Sequence, residues 1–470
     1  MGENTRQIVV DTLLELERDQ EYSHNLIKAV LDKYDYLDGR DKAFIKRVAE
    51  GTTERKIELD YYLEKFSSVP VRKMKPLIRV LLRMSLYQLL YMDGVPDSAV
   101  CNEACKIAAK RGFADLKGFV NGVLRNLARN KERLPLPDRG KDEAGYFSVK
   151  YSMPRLITQM WLDEYGREIT ETLLRKMLEP QPVSIRFRTG FSEEERLSWL
   201  DKIRTVQAKA VQSPYLPYVY TVKNAEGIRT LPGFGEGAFT VQDVSSALAV
   251  EAAGIEREDF VLDVCAAPGG KTLLAAEKGA RVLARDVSGR KTALIRENLD
   301  RMKTANVMVQ VFDGCRTDSS LHEKADVILL DVPCSGLGVL GKKRDIKYHV
   351  DADGLKSLEG LQKRILEQSW RYVKPGGILL YSTCTIRRQE NQDMFRYILD
   401  HFPFEPDPIA PYLPEKLLRE RDALEELLKK QRRPVLSEEE GAACIQLMPG
   451  YMESDGFFMA RLRRRSRPGE

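Results

Sequence analysis

Apolar positions recur at helical spacing through residues 1 to about 130. Ile78, Leu82, Leu86 and Leu89 stand four, four and three residues apart, with Leu81 beside them, which places them on one helical face. Phe119, Val123 and Leu127 form a second stripe, with Lys117, Arg125 and Arg129 elsewhere on that helix. Asp97 or Ser98 is placed to cap a helix running through Glu103 and Ala108 towards Gly112. Several amphipathic helices with short connections predict an all-α bundle over 1–135.

Leu134-Pro135-Leu136-Pro137-Asp138-Arg139-Gly140 reads as a linker. Residues 155–178 are helical in pattern until Pro180-Gln181-Pro182 breaks it. Val183-Ser184-Ile185-Arg186-Phe187-Arg188 alternates apolar and polar, as a half-buried strand does, and Val219–Val222 is a second strand. A small α+β domain of RRM-like kind is expected over 145–235.

The pattern then changes to short apolar runs alternating with helical segments. The runs are 260–264, 281–286, 307–311, 327–331 and 377–382. This order predicts a parallel, doubly wound, Rossmann-like α/β sheet in a domain spanning 236–465. Residues 411–440 predict an exposed amphipathic helix without chemistry, and 445–447 and 457–462 the closing strands.

A chain of 470 residues is too long for one ordinary core, so a multidomain protein is expected. No run of about 18 apolar residues suggests a membrane span. Met1-Gly2-Glu3-Asn4 lacks a signal-peptide pattern, and Arg6 stands where a myristoylation signal wants Ser or Thr. A cytoplasmic monomer that does not engage membranes is expected. The net charge of +5, from 75 basic and 70 acidic residues, leaves nucleic-acid binding to the distribution of charge. The basic tail Arg461–Arg467 reads equally as a solvated end or as an RNA-backbone contact. Seven scattered cysteines (Cys101, Cys105, Cys265, Cys315, Cys334, Cys384 and Cys444), without a CxxC pair, predict neither a disulfide framework nor a metal site.

The first α/β strand runs into Cys265-Ala266-Ala267-Pro268-Gly269-Gly270-Lys271-Thr272. Small residues and two glycines let the backbone turn sharply and approach a ligand where a doubly wound sheet binds nucleotides. A P-loop would need glycine where Cys265 stands, and the G-x-G-x-x-G of a dinucleotide site is absent. An adenosyl cofactor without a phosphate to cradle fits better than either of these, or than a ligand-free structural turn. Asp286, closing the second strand, stands where an acidic residue takes ribose hydroxyls. Asp313, after the third, is placed for an adenine amino group or, alternatively, for a turn before Gly314.

Two cysteines stand at the carboxyl ends of neighbouring strands, in Asp331-Val332-Pro333-Cys334-Ser335-Gly336 and Tyr381-Ser382-Thr383-Cys384-Thr385. Both ends open onto the cofactor face. A buried thiol is usually a small hydrophobe, but two at such positions suggest thiol chemistry. Carbon 5 of cytosine becomes nucleophilic when a thiolate adds to carbon 6, so that a methyl can be taken from a sulfonium donor. The thiolate needs nearby positive charge, for which Lys271 and the sulfonium are candidates. Asp331 is placed to serve N3 and N4 of the base, if it or N3 carries a proton.

DVCAAPGGKT, DVPCSGLGVL and YSTCTIRRQEN resemble the motifs of the RNA cytosine-C5 methyltransferases of the Sun/Fmu (RsmB) family. Leu231–Phe234 and Phe239–Asp243 resemble the strip that precedes that family's catalytic domain. Val95–Ala104 and Phe119–Arg125 are similar to a NusB-like RNA-binding domain. The resemblance covers most of the chain. It implies S-adenosylmethionine as cofactor, contacted by Cys265, Ala266, Ala267, Pro268, Gly269, Gly270, Lys271, Asp286, Asp313 and Asp331. It also implies Cys384 as the nucleophile, Cys334 in product release, and catalysis assisted by Asp331. DNA cytosine methyltransferases use the proline-cysteine position as nucleophile instead. The pairing with a NusB-like domain resembles the bacterial enzyme acting on small-subunit ribosomal RNA at the cytosine conventionally numbered 967. Val332 and Thr385 depart from commoner residues without removing a reactive group. Two alternatives stay open: the same chemistry on tRNA or another ribosomal cytosine, and an RNA-binding or antitermination module with a degenerate catalytic domain.

Overall fold

The computed structural model describes residues 4–19, 23–225 and 227–466. Met1-Gly2-Glu3, read above for a leader, and Arg467 of the basic tail lie outside the described residues. The chain forms two compact units. The first runs through Leu178 and takes in Leu340–His349; the second holds Glu179–Val339 and Val350–Glu470. The expected 145–235 segment is thereby divided between them.

The first unit is helical, as its periodicity predicts. Helix Pro76–Tyr91 runs through its core, with Leu77, Ile78, Leu81, Leu82, Leu86 and Leu89 all buried. Two polar residues buried on the same helix are satisfied. Arg83 Nη2 donates to Asp60 Oδ2 at 2.7 Å, and Gln88 takes the guanidinium of Arg6 at 2.9 Å. Helix Lys117–Asn130 buries Val123 and Leu127 and leaves Lys117, Arg125 and Arg129 exposed. The expected cap at Asp97 or Ser98 is not formed. Pro96 precedes the helix Asp97–Lys110, and Asp97 instead accepts from Lys131 Nζ at 3.1 Å.

The second unit carries two sheets. The strands are β1 Val183–Phe187, β2 Lys209–Gln212, β3 Val219–Lys223, β4 Phe239–Val241, β5 Phe260–Asp263, β6 Arg281–Asp286 and β7 Val307–Val311. They continue with β8 Ala325–Asp331, β9 Val373–Thr383, β10 Phe404–Pro406, β11 Cys444–Leu447 and β12 Phe457–Arg464. The small sheet has the order β2-β3-β1-β4, antiparallel throughout. Phe187 anchors it, edge-on to Tyr220 and Phe239 at centroid distances of 5.5 and 5.6 Å.

The large sheet has the order β10-β12-β9-β8-β5-β6-β7, with β11 beside β12. Five strands, β7-β6-β5-β8-β9, are parallel; the apolar runs of β6, β5, β8 and β9 follow from burial on both faces, whereas β7 is a half-exposed edge. The sheet is mixed rather than wholly parallel, because β10, β11 and β12 pair antiparallel. This pairing overturns the reading of the basic tail as a free end. Arg461 is only 2% exposed, pairs with Asp407 and donates to the carbonyls of Ala252 and Ala253. Arg463 also reaches Asp407, and Arg464 reaches Glu323. Strand β12 lies between β9 and β10, so these guanidiniums are structural partners within the unit. Residues 411–440 hold the expected helix, Glu415–Lys430, with Leu417 and Leu424 buried.

Candidate active site

Parallel strands point their carboxyl ends the same way, which brings the loops after β5, β6, β8 and β9 to one edge of the sheet. After β5 the chain makes its turn through Cys265–Gly269 and enters helix Gly270–Glu277. Gly269 has φ +102, a left-handed conformation, and a Cβ there would meet Ile295 at 3.2 Å. Glycine is therefore required for the turn. Asp286, 4% exposed, holds the turn from β6, receiving the Ala267 N–H at 3.1 Å and the Val287 N–H at 2.7 Å. Lys291 Nζ stands 3.3 Å from its other side. Asp313 lies two residues beyond β7 and accepts the Cys315 N–H at 2.9 Å, so the turn-forming role is present. Burial pushes the Cys265 thiol well up from its usual range.

The Lys271 side chain, on the first turn of the helix, reaches β8. Its Nζ donates to Asp331 Oδ2 at 2.7 Å, and Ser382 Oγ donates to Asp331 Oδ1 at 2.8 Å. Burial works against the ammonium, but Asp331 and Asp263 outweigh it and hold Lys271 above the usual lysine range, with Cys384 adding to the effect. Lys271 also lies over the Phe457 ring at 5.4 Å.

Strands β8 and β9 are hydrogen-bonded neighbours, with Asp331 opposite Ser382. Their loops continue the pairing past the sheet. Val332 N donates to Ser382 O at 3.2 Å, and Gly338 N donates to Cys384 O at 3.1 Å. Ser335 and Thr385 share a hydroxyl contact of 2.8 Å. Between these ties the Cys334 and Cys384 sulfurs face each other at 3.2 Å, as free thiols. The hydrogen bond with Cys384 pushes the Cys334 thiol well up, and burial and the Cys384 charge add to it. Two thiols this close oppose each other's ionisation, so once one is a thiolate the other holds its proton more tightly.

A model of the family described as 16S rRNA methyltransferase RsmB/F matches residues 252–463, and one of the NusB family matches residues 3–129. A Bacillus subtilis protein named probable ribosomal RNA small subunit methyltransferase B is 34% identical over 472 positions, covering 98% of this chain and 99% of its own. The chain belongs to the RsmB/F family of methyltransferases. The ribosomal RNA small subunit methyltransferase B of Cronobacter sakazakii is 30% identical over 90% of both chains. Among solved structures, PH0851 superposes with a TM-score of 0.77 over 98% of this chain and 99% of its own, at 23% identity, a likeness of fold. A methyltransferase homolog from Pyrococcus horikoshii gives 0.55 at 26% identity, over 68% of this chain and 97% of its own.

In this RsmB/F chain the structure brings Lys271, Asp331, Cys334 and Cys384 together, with the glycine turn and Asp286 beside them. Asp313 is joined to none of these four by a hydrogen bond or ion pair. Several residues of the site had no role in the sequence reading. Asp263, 1% exposed, receives Thr272 Oγ1 at 2.7 Å, and burial pushes its carboxyl up to about 7. Gln362 and Glu390 lie buried behind Cys334. Gln362 had a readable signal: it falls among Leu355, Ile365 and Leu366 on the buried face of helix Ala352–Ser369.

Proposed function

We propose that the chain methylates carbon 5 of a cytosine in 16S ribosomal RNA, at the position conventionally numbered 967, through a covalent bond from Cys384 to carbon 6. The observation that carries this reading is the 3.2 Å approach of two sulfurs beside the Lys271–Asp331 pair. A lone buried cysteine needs no chemistry to explain it. Two thiols on adjacent strand ends, next to a buried ammonium, are the groups that covalent pyrimidine chemistry requires.

The glycine turn suits an adenosyl ligand, because its backbone is free of side chains at Gly269 and Gly270 and leads into a helix N-terminus. Cys265–Lys271, Asp286, Asp313 and Asp331 would hold S-adenosylmethionine, which when bound supplies an electrophilic methyl group. The NSun6 of Pyrococcus horikoshii, a structural neighbour with a TM-score of 0.52, was crystallised with SFG, a S-adenosylmethionine analogue, which supports the cofactor choice.

Each side chain then has one task. Lys271, charged, favours the thiolate of Cys384. The sulfur adds to carbon 6, and the displaced electron pair makes carbon 5 nucleophilic. Asp331, oriented by Lys271 and Ser382, would accept from the N4 amino group of the ring and, once N3 carries a proton, from N3. After transfer the carbon-5 proton passes to water, the electron pair it leaves restores the double bond and expels Cys384 as a thiolate, and the Cys334 thiol assists by donating a hydrogen bond to that sulfur. Lys117, Arg125 and Arg129 of the NusB-family segment are exposed cations suited to the RNA backbone.

The test is methylation of purified 16S ribosomal RNA, and of tRNA, with the modified nucleotide mapped. 5-Methylcytosine at position 967 is expected. Modification of tRNA alone, or methyl groups at another atom of the base, would overturn the assignment.

A further inference from the structure

Cys334 is gripped from behind on both of its peptide bonds. Gln362 Nε2 donates to the carbonyl of Pro333, the residue before it, at 3.0 Å. Ser335 N, the residue after it, donates to Glu390 Oε2 at 2.9 Å. The same Gln362 amide also reaches Glu390 Oε2 at 3.0 Å, so one carboxyl oxygen closes the grip.

Both residues are fully buried. Glu390 is itself fixed, since Tyr381 OH donates to its backbone oxygen at 2.7 Å. Gln362 projects from helix Ala352–Ser369 and Glu390 from the turn after β9, so two separate elements meet on this one loop. Glu390 Oε1 has no hydrogen-bond partner, and its nearest cation, Arg387, stands 3.8 Å away while bonded to Glu359 at 2.6 Å. A buried carboxyl with one oxygen unsatisfied costs stability.

We propose that Glu390 and Gln362 are positioning residues that hold Cys334 against Cys384 and keep its thiol protonated until product release. The proposal rests on the covalent reading above. The clamp sets the loop through Pro333 O and Ser335 N, and the carboxylate opposes a second negative charge on the neighbouring sulfur. Burial raises Glu390 itself, and Glu390 is among the groups that hold Cys334 up.

Two measurements test it. The first needs no RNA: site-resolved alkylation of Cys334 at pH 8 to 9, read by mass spectrometry in the Cys384→Ala background. Glu390→Gln keeps an acceptor oxygen and removes the charge, so Cys334 should alkylate about threefold faster or more. An unchanged rate overturns the proposal. The second follows the covalent protein–RNA adduct in single turnover. Glu390→Ala and Gln362→Ala should each lengthen its lifetime about tenfold or more at an unchanged rate of formation, and Glu390→Gln, which keeps the acceptor but not the charge, should fall between Glu390→Ala and the native chain. If formation falls in parallel with release, the pair is only structural and the proposal fails. If Cys334→Ala itself gives no adduct while alkylation responds to Glu390→Gln, the clamp stands and the release reading fails.

Discussion

Lys271 Nζ donates to Asp331 Oδ2 at 2.7 Å, and of the two side chains the lysine is the more enclosed, 11% exposed against 29%. Removing the aspartate therefore strands a buried ammonium, whereas removing the lysine leaves a carboxylate nearer to water. Breaking a buried pair from one side costs about 3–5 kcal/mol, and the more enclosed charge carries more of it. Asp331→Ala should lower the thermal midpoint more than Lys271→Met, and both should reduce methyl transfer about 100-fold or more. Thermal unfolding alongside incorporation of labelled methyl groups checks this. Equal destabilisation would mean that the pair is effectively solvated.

Gly269→Ala tests the turn. Its left-handed φ of +102 costs a side-chain-bearing residue about 1–2 kcal/mol, and the new Cβ would press on Ile295 at 3.2 Å. Affinity for S-adenosylmethionine should fall about tenfold or more, measured by calorimetry. Unaltered affinity would separate the turn from the cofactor.

Gly338→Ala tests the joint between the two cysteine loops. A Cβ there would lie 2.0 Å from Gly456 O and 2.8 Å from Cys384 O, both backbone atoms that cannot swing away. The loops must part, so methylation should be lost while cofactor affinity stays near that of the native chain. Retained activity would show that the 3.2 Å approach of the sulfurs is dispensable.

Much of this site was legible because parallel strands leave strong marks. The apolar runs 260–264, 281–286 and 327–331 located the strand ends to within a residue, and the cysteine motifs after β8 and β9 did prove to lie on adjacent strands. Signals that depend on distant partners were less legible. Arg461, Arg463 and Arg464 read as a solvated end or an RNA contact because Asp407 and Glu323, which take up their charge, lie far away in sequence. Strand β2 was missed because it is a four-residue edge strand with little buried surface, and β4 because it has only three residues. Asp97 carries a good capping side chain one position too late, since Pro96 sets the helix start. Glu390 stood inside a motif already noted, but its task depends on Gln362, which arrives from another helix.

Asp263 gives a pH prediction. Burial pushes its carboxyl up to about 7, so the folded state holds a proton that the unfolded chain releases near pH 4. The group therefore costs nothing below about pH 4, and its cost grows through pH 4 to 7 and is complete above that. Asp263→Asn keeps an acceptor for Thr272 and cannot ionise. Its stability relative to the native chain should rise across that window, by roughly 4 kcal/mol at most. Denaturant unfolding at pH 4, 5.5 and 7.5 measures this, and a difference independent of pH would contradict the shift.

The division of labour between Cys384 and Cys334 is tested most directly by denaturing electrophoresis of each single variant after incubation with 16S ribosomal RNA and S-adenosylmethionine. Cys334→Ala should trap a covalent protein–RNA species, and Cys384→Ala should give neither that species nor methylated RNA. A covalent species from Cys384→Ala and none from Cys334→Ala would reverse the two roles, and none from either would contradict the covalent route.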